Sequence, residues 1–172
     1  IYVGEDVEFD DLKFSNLAFA NPDLAGTLSG SYEMREGSPG MIDLTGQFVR
    51  AEGPRAWRYI PHLPEPVQTY LNAGALAGRS TDVRLRLKGD LAKFPFEDPK
   101  QGIFQVSAKV TGAEFNYAAG WPQASAITGD LLFEGTRLQV LAQRATVLGV
   151  RAVNVRLTIP DIYHRNEVLT LE

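Results

Sequence analysis

Apolar residues recur at every second position in eight separate stretches of this 172-residue chain, a period that commits most of it to β-strands. In "RLRLKGDLAKFPFEDPKQGIFQVSAKV" (84–110), Leu85 and Leu87 alternate with Arg84, Arg86 and Lys88. Alternation stops at Phe94-Pro95-Phe96, then Phe104, Val106, Ala108 and Val110 alternate with Gln105, Ser107 and Lys109. The same period predicts strands over 12–20, 26–34, 40–50, 81–91, 102–112, 125–134, 136–147 and 149–159. In the last of these, Val153, Val155, Leu157 and Ile159 oppose Asn154, Arg156 and Thr158. A slip in the pattern near Asn16 predicts a bulge. Short glycine-containing links, "EGT" (134–136) and "LGV" (148–150), predict antiparallel, meander-like pairing.

The rhythm lapses once. Residues 54–77 carry Pro54, Pro61, Pro64 and Pro66 and no alternation. Pro54 suits the first turn of a short helix running to Tyr59, which Pro61 would end. A second helix is expected from Glu65 to Ala77, with Val67, Tyr70, Leu71 and Ala75 on one stripe and Gly78 closing it. The organisation expected over 1–172 is a single β-rich domain: strands over 1–53, a helical insertion over 54–78, and strands over 79–172. The chain opens on Ile1, inside the alternating "IYVGEDVEF", and stops within "VLTLE", so it reads as a fragment of a longer protein. Any membrane anchor is then expected outside it. A weak internal likeness between 26–53 and 126–149 suggests a repeated β unit.

Each strand offers one apolar face, and ten residues of strand run roughly 33 Å. One helical pair covers only part of such a sheet. The sheet can fold on itself as a sandwich, close as a barrel, or stay open as a curved groove. Alternation alone leaves all three open, with the two buried solutions the commoner fate.

Few side chains suggest chemistry. A net charge of −4 argues against a nucleic-acid partner, which would want a basic face. The absence of cysteine removes disulfides and thiolate metal sites, and no apolar run is long enough to span a membrane. His62 and His164 lack metal-ligand spacing. Asp10-Asp11 and Glu97-Asp98 read as solvated loop charge, and no phosphate loop or nucleophile elbow occurs. The expectation is a non-enzymatic chain with no catalytic residue, cofactor or metal. Trp57 and Trp121 could stack on a sugar, though their proline and apolar neighbours favour packing.

Several segments also carry a family likeness: "WRYIP" (57–61), "YLNAGALAG" (70–78), "RLRLKGDLAKFPF" (84–96), "GIFQVSAKV" (102–110), "YAAGWPQ" (117–123), "ITGDLLFEG" (127–135) and "IPD" (159–161). In that order they resemble the AsmA-like region of YhdP-type cell-envelope proteins of Gram-negative bacteria, over roughly residues 40–161. The Lys-Gly-Asp-Leu…Phe-Pro-Phe and Tyr-x-x-Gly-Trp-Pro runs are the most specific pieces; the first forty residues match only as alternating strands.

The resemblance implies a mainly β, antiparallel meander forming a curved, partly open β-groove with one short helical pair at about 54–77. It implies a periplasmic segment of an inner-membrane-anchored protein that moves phospholipid toward the outer membrane and maintains its permeability barrier. The partners implied are phospholipid acyl chains and adjoining β-groove segments of the same parent chain. Groove-lining candidates are then Val83, Leu85, Leu87, Phe104, Val106, Val153, Val155 and Leu157, some of which must pack under the helices. Phe94-Pro95-Phe96 reads as a strand terminator whose rings tuck onto the sheet edge. Two other readings stay open: an envelope assembly scaffold using exposed sheet edges, and a carbohydrate-binding β-sandwich using Trp57 or Trp121. A continuous apolar trough would favour lipid over both.

Overall fold

The computed structural model describes residues 11–60, 63–116, 120, 122–163 and 170–171. It is mainly β, with 66% of the described residues in strands. In chain order the elements are β1 (Asp11–Ala20), β2 (Leu24–Arg35), β3 (Ser38–Glu52), α1 (Gly53–Ala56), α2 (Glu65–Gly74), β4 (Ala75–Ser80), β5 (Val83–Asp90), β6 (Gly102–Phe115), β7 (Ala124–Glu134), β8 (Arg137–Val147), β9 (Val150–Ile159) and β10 (Thr170–Leu171). Single 3-10 turns follow α1 (Trp57–Tyr59) and β5 (Leu91–Lys93).

The ten strands among the described residues form one antiparallel sheet that follows chain order from β1 to β10. The one departure lies between β3 and β6. There β4 pairs with the end of β3 and β5 pairs with its earlier part, while both pair with β6. The two strands thus occupy one track, broken at Thr81-Asp82.

The helical pair lies where alternation lapses, but it ends earlier than the stripe suggests. The second helix stops at Gly74 rather than Ala77, and Ala75–Ser80 is strand. Ala75 satisfies a helical stripe and a strand equally well; pairing with Phe115 decides it. The Asn116 N–H donates to the Gly74 carbonyl at 2.8 Å, tying the helix end to β6.

Bulges line up across the sheet. The one expected near Asn16 is present, with Asn16 at φ 51° and the register shifting between Phe14 and Leu17. Ala25 and Gly26 face Arg50 and Phe48, leaving Val49 over. Thr128 and Gly129 face Arg144 and Ala142, leaving Gln143 over. In both hairpins the glycine is demanded by space: a Cβ on Gly26 would lie 2.3 Å from the Gln47 carbonyl oxygen, and one on Gly129 2.2 Å from that of Leu141. Further register shifts in β6 and β7 extend the row, and bulged strands bend and twist more strongly.

The core lies on one face of the sheet. One cluster joins Leu24, Phe48, Ala51 and Val83, and a second joins Leu87, Phe96, Phe104 and Phe133. No large side chain among the described residues is completely buried. The opposite face is mostly polar: Arg86 and Lys88 reach Asp43, Gln105 pairs with Glu134, and Gln143 with Asp130, with Ile103 and Leu141 exposed among them. Arg86 first, then Lys88, hold the Asp43 carboxyl below the usual carboxylate range.

Candidate functional site

Register places the apolar side chains in rows that cross the strands. Leu44, Leu87 and Phe104 form one row, and Gly46, Leu85, Val106 and Phe133 the next. Phe48, Val83, Ala108, Leu131, Val140 and Leu157 form a third. The candidates from the sequence fall into three groups. Val83, Leu87 and Phe104 are buried, Phe104 to 4% exposure. Leu85, Val106, Val155 and Leu157 are half-buried, and Leu85 and Val106 touch both clusters. Val153 is 59% exposed and pairs with the exposed Arg144, whereas the next pair, Ala145 with Ala152, is covered. Between Val153 and Val155 stands Asn154 at φ 54°, a left-handed residue that breaks strict alternation.

Chain segments outside the strands cover part of this face. Ala56 packs on the first cluster and Ile60 on the second. This cap is pinned from outside, since the Tyr59 hydroxyl donates to Asp23 at 3.1 Å and Arg55 pairs with Asp23 at 3.2 Å. The second cover comes from the β5–β6 connection. Phe94 lies 4.9 Å from Phe104, centroid to centroid, and Phe96 is 3% exposed. Phe96 sits over the paired Gly89 and Gly102: a Cβ on Gly102 would lie 2.5 Å from its ring, and one on Gly89 2.9 Å. Ile162 and Tyr163, just beyond β9, complete the second cover, with the Ile162 N–H donating to the Thr136 carbonyl at 2.8 Å. Sequence reading singled out Phe94-Pro95-Phe96 but missed this glycine socket and Tyr163. The signal was there in glycines at both ends of the hairpin that the loop closes.

The Tyr163 hydroxyl is buried and has no hydrogen-bond partner among the described residues. Burial, aided by the Asp161 carboxylate, pushes its pKa up to about 12 from 10.0. The folded value exceeds the unfolded one, so this residue's contribution is complete below pH 10 and is lost as pH rises toward 12. Tyr163→Phe removes an unpaired buried hydroxyl, and is expected to leave stability unchanged or raise it by about 1 kcal/mol at neutral pH. It should also flatten the alkaline decline. Urea titrations at pH 7 and pH 11 check both.

A concavity of about 470 Å³ lies at the β3–β4–β6 seam, lined by Glu52, Pro54, Leu76, Ala77, Gly78, Arg79, Thr111 and Gly112. It mixes both charges with apolar groups. Trp57 uses its indole N–H internally, donating to the Pro54 carbonyl at 2.9 Å, with the Arg58 guanidinium 5.8 Å from its ring. His62, His164 and Trp121 lie outside the described residues. Among the described residues no group of three or more His, Asp or Glu could hold a metal ion, and no helix is long and apolar enough to cross a membrane.

The family model described as YhdP protein matches residues 6–172. A curated Escherichia coli (strain K12) protein, "Intermembrane phospholipid transporter YhdP", is 28% identical over 120 residues, covering 69% of this chain and 9% of that protein. The chain thus spans a small part of the relative's length. No solved structure matches it significantly.

Proposed function

The chain belongs to the YhdP family, and on that premise we propose that it is a non-enzymatic, lipid-binding segment of a longer envelope protein that moves phospholipid between the inner and outer membranes and supports the outer-membrane barrier. Its place is the periplasm, with membrane anchoring supplied by other parts of that protein. One observation carries the reading: a single sheet gathers most of its apolar side chains on one face, and the strip over Leu85, Val106, Leu131 and Leu157 stays only half-buried between the covers. That strip crosses β5, β6, β7, β8 and β9, four inter-strand steps or roughly 19 Å. One leaflet's acyl layer spans about 15 Å, so the strip has room for a chain lying along it. Each methylene moved from water onto it gains about 0.8 kcal/mol. Repetition along the rows gives many similar weak contacts, which suits movement better than one deep pocket.

Adjoining segments of the same parent chain are the natural neighbours of the sheet's ends. On β1, the outermost strand among the described residues, Leu12 and Leu17 are 48% and 52% exposed, apolar surface that an adjoining strand would cover. Trp57 spends its one polar group, the indole N–H, within its own turn rather than offering it to a sugar hydroxyl.

Expressed in a Gram-negative host and studied by native mass spectrometry, the chain is expected to carry phospholipid that delipidation removes and diacyl vesicles restore. A chain that emerges bare and stays bare with vesicles overturns the lipid reading.

A further inference from the structure

Adjacent rows on the same apolar face differ in cover. Leu85 and Val106 are half-buried, whereas Leu87 and Phe104, one step along the same two strands, are buried. Aromatic rings make the difference. Phe94 stands 4.9 Å from Phe104, and Tyr163 lies 6.5 Å from Phe94 and from Phe133.

We propose that the Leu91–Phe96 segment and Tyr163 form a side wall that sets the width of the lipid path, confining acyl chains to the Leu85–Val106 strip and excluding them from Leu87 and Phe104. The proposal rests on the lipid-binding reading and adds residues that would govern selectivity.

A bland hydrophobic anchor would need only one ring against the sheet. Here both ends of the segment are fixed. The Asp90 carboxylate accepts from the Ala92 N–H at 2.9 Å and from the Ser38 hydroxyl at 3.1 Å. At the other end the Phe96 N–H donates to the Lys93 carbonyl at 2.8 Å while its ring fills the Gly89–Gly102 socket. Phe96 holds φ 63°, a conformation costly for a bulky side chain and kept only where surroundings enforce it. A segment fixed at both ends projects Phe94 over the face as a fixed barrier. A narrow strip then admits extended single chains and disfavours side-by-side packing.

The test replaces leucine by the near-isosteric photo-leucine, loads the protein from vesicles of zwitterionic and anionic diacyl phospholipid, irradiates, and localises lipid adducts by fragmentation. The wild type should show adducts at Leu85 and none at Leu87, and Phe94→Ala should bring Leu87 up to the level of Leu85. Adducts at Leu87 as strong as at Leu85 in the wild type would overturn the wall and leave the lipid reading standing, as would an unchanged pattern in folded Phe94→Ala. No adduct at Leu85, Leu131 or Leu157 in either protein would remove the lipid reading and the wall with it. Should Phe94→Ala misfold, Tyr163→Ala opens the wall from its other side, and the same gain at Leu87 decides.

Discussion

Leu85→Glu is expected to leave the sheet folded and abolish phospholipid capture, whereas Phe104→Asp, one row away on the same face, is expected to unfold the chain. The two sites differ in access to water. Leu85 is half-buried on the strip between the covers, so a carboxylate there can still reach water. The cost is the lost packing of one partly buried leucine, about 1 kcal/mol. Phe104 is enclosed by Phe94 at 4.9 Å and Phe133 at 5.3 Å. An aspartate there combines a cavity with a buried charge, several kcal/mol in all, against a typical folding stability of about 5–15 kcal/mol. Arg84→Glu, on the polar face, should change neither folding nor lipid capture. Circular dichroism melts and lipid photo-crosslinking of the three variants provide the check. Unfolding of Leu85→Glu alongside Phe104→Asp would mean that the strip is sealed core.

The period of two was enough to place the long strands, their antiparallel order and most of the polar and apolar faces, because each depends on neighbours in sequence or across one tight turn. What covers the apolar face was less legible. Phe96 reaches Gly89 and Gly102 across a loop, and glycines contribute nothing to a hydropathy pattern. Ile162 and Tyr163 act from beyond the last long strand, where no period continues. Two asparagines make the limit plain. Asn16 was legible as a bulge because the apolar pattern slips around it. Asn154 adopts the same left-handed backbone, yet Val153 and Val155 flank it and the alternation reads on undisturbed. The exposure of Val153 follows from that backbone residue rather than from hydropathy. The end of α2 was hidden in the same way, since Ala75 through Gly78 suit either state and pairing with β6 settles them.

Gly102→Ala is expected to lower stability by about 3 kcal/mol, at the upper end of the range for overpacking a tight site. The added methyl would lie 2.5 Å from the Phe96 ring on one side and 2.6 Å from the Lys88 carbonyl oxygen on the other. The ring is 3% exposed and the carbonyl belongs to the sheet, so neither can give without disturbing something else. Gly37→Ala is the control. Gly37 sits in the β2–β3 turn at φ 71° with nothing near its missing Cβ, so alanine there meets only a backbone preference of about 1 kcal/mol. For a chain of this size the difference between the two variants corresponds to roughly 4–8 °C in melting temperature. Relief by expelling Phe96 would carry Phe94 with it and bare Leu87 and Phe104. The photo-leucine experiment would then find lipid at Leu87 in folded Gly102→Ala, as in Phe94→Ala. If Gly102→Ala melts no lower than Gly37→Ala, the ring is not seated on the glycine pair, and a fixed wall loses its anchor.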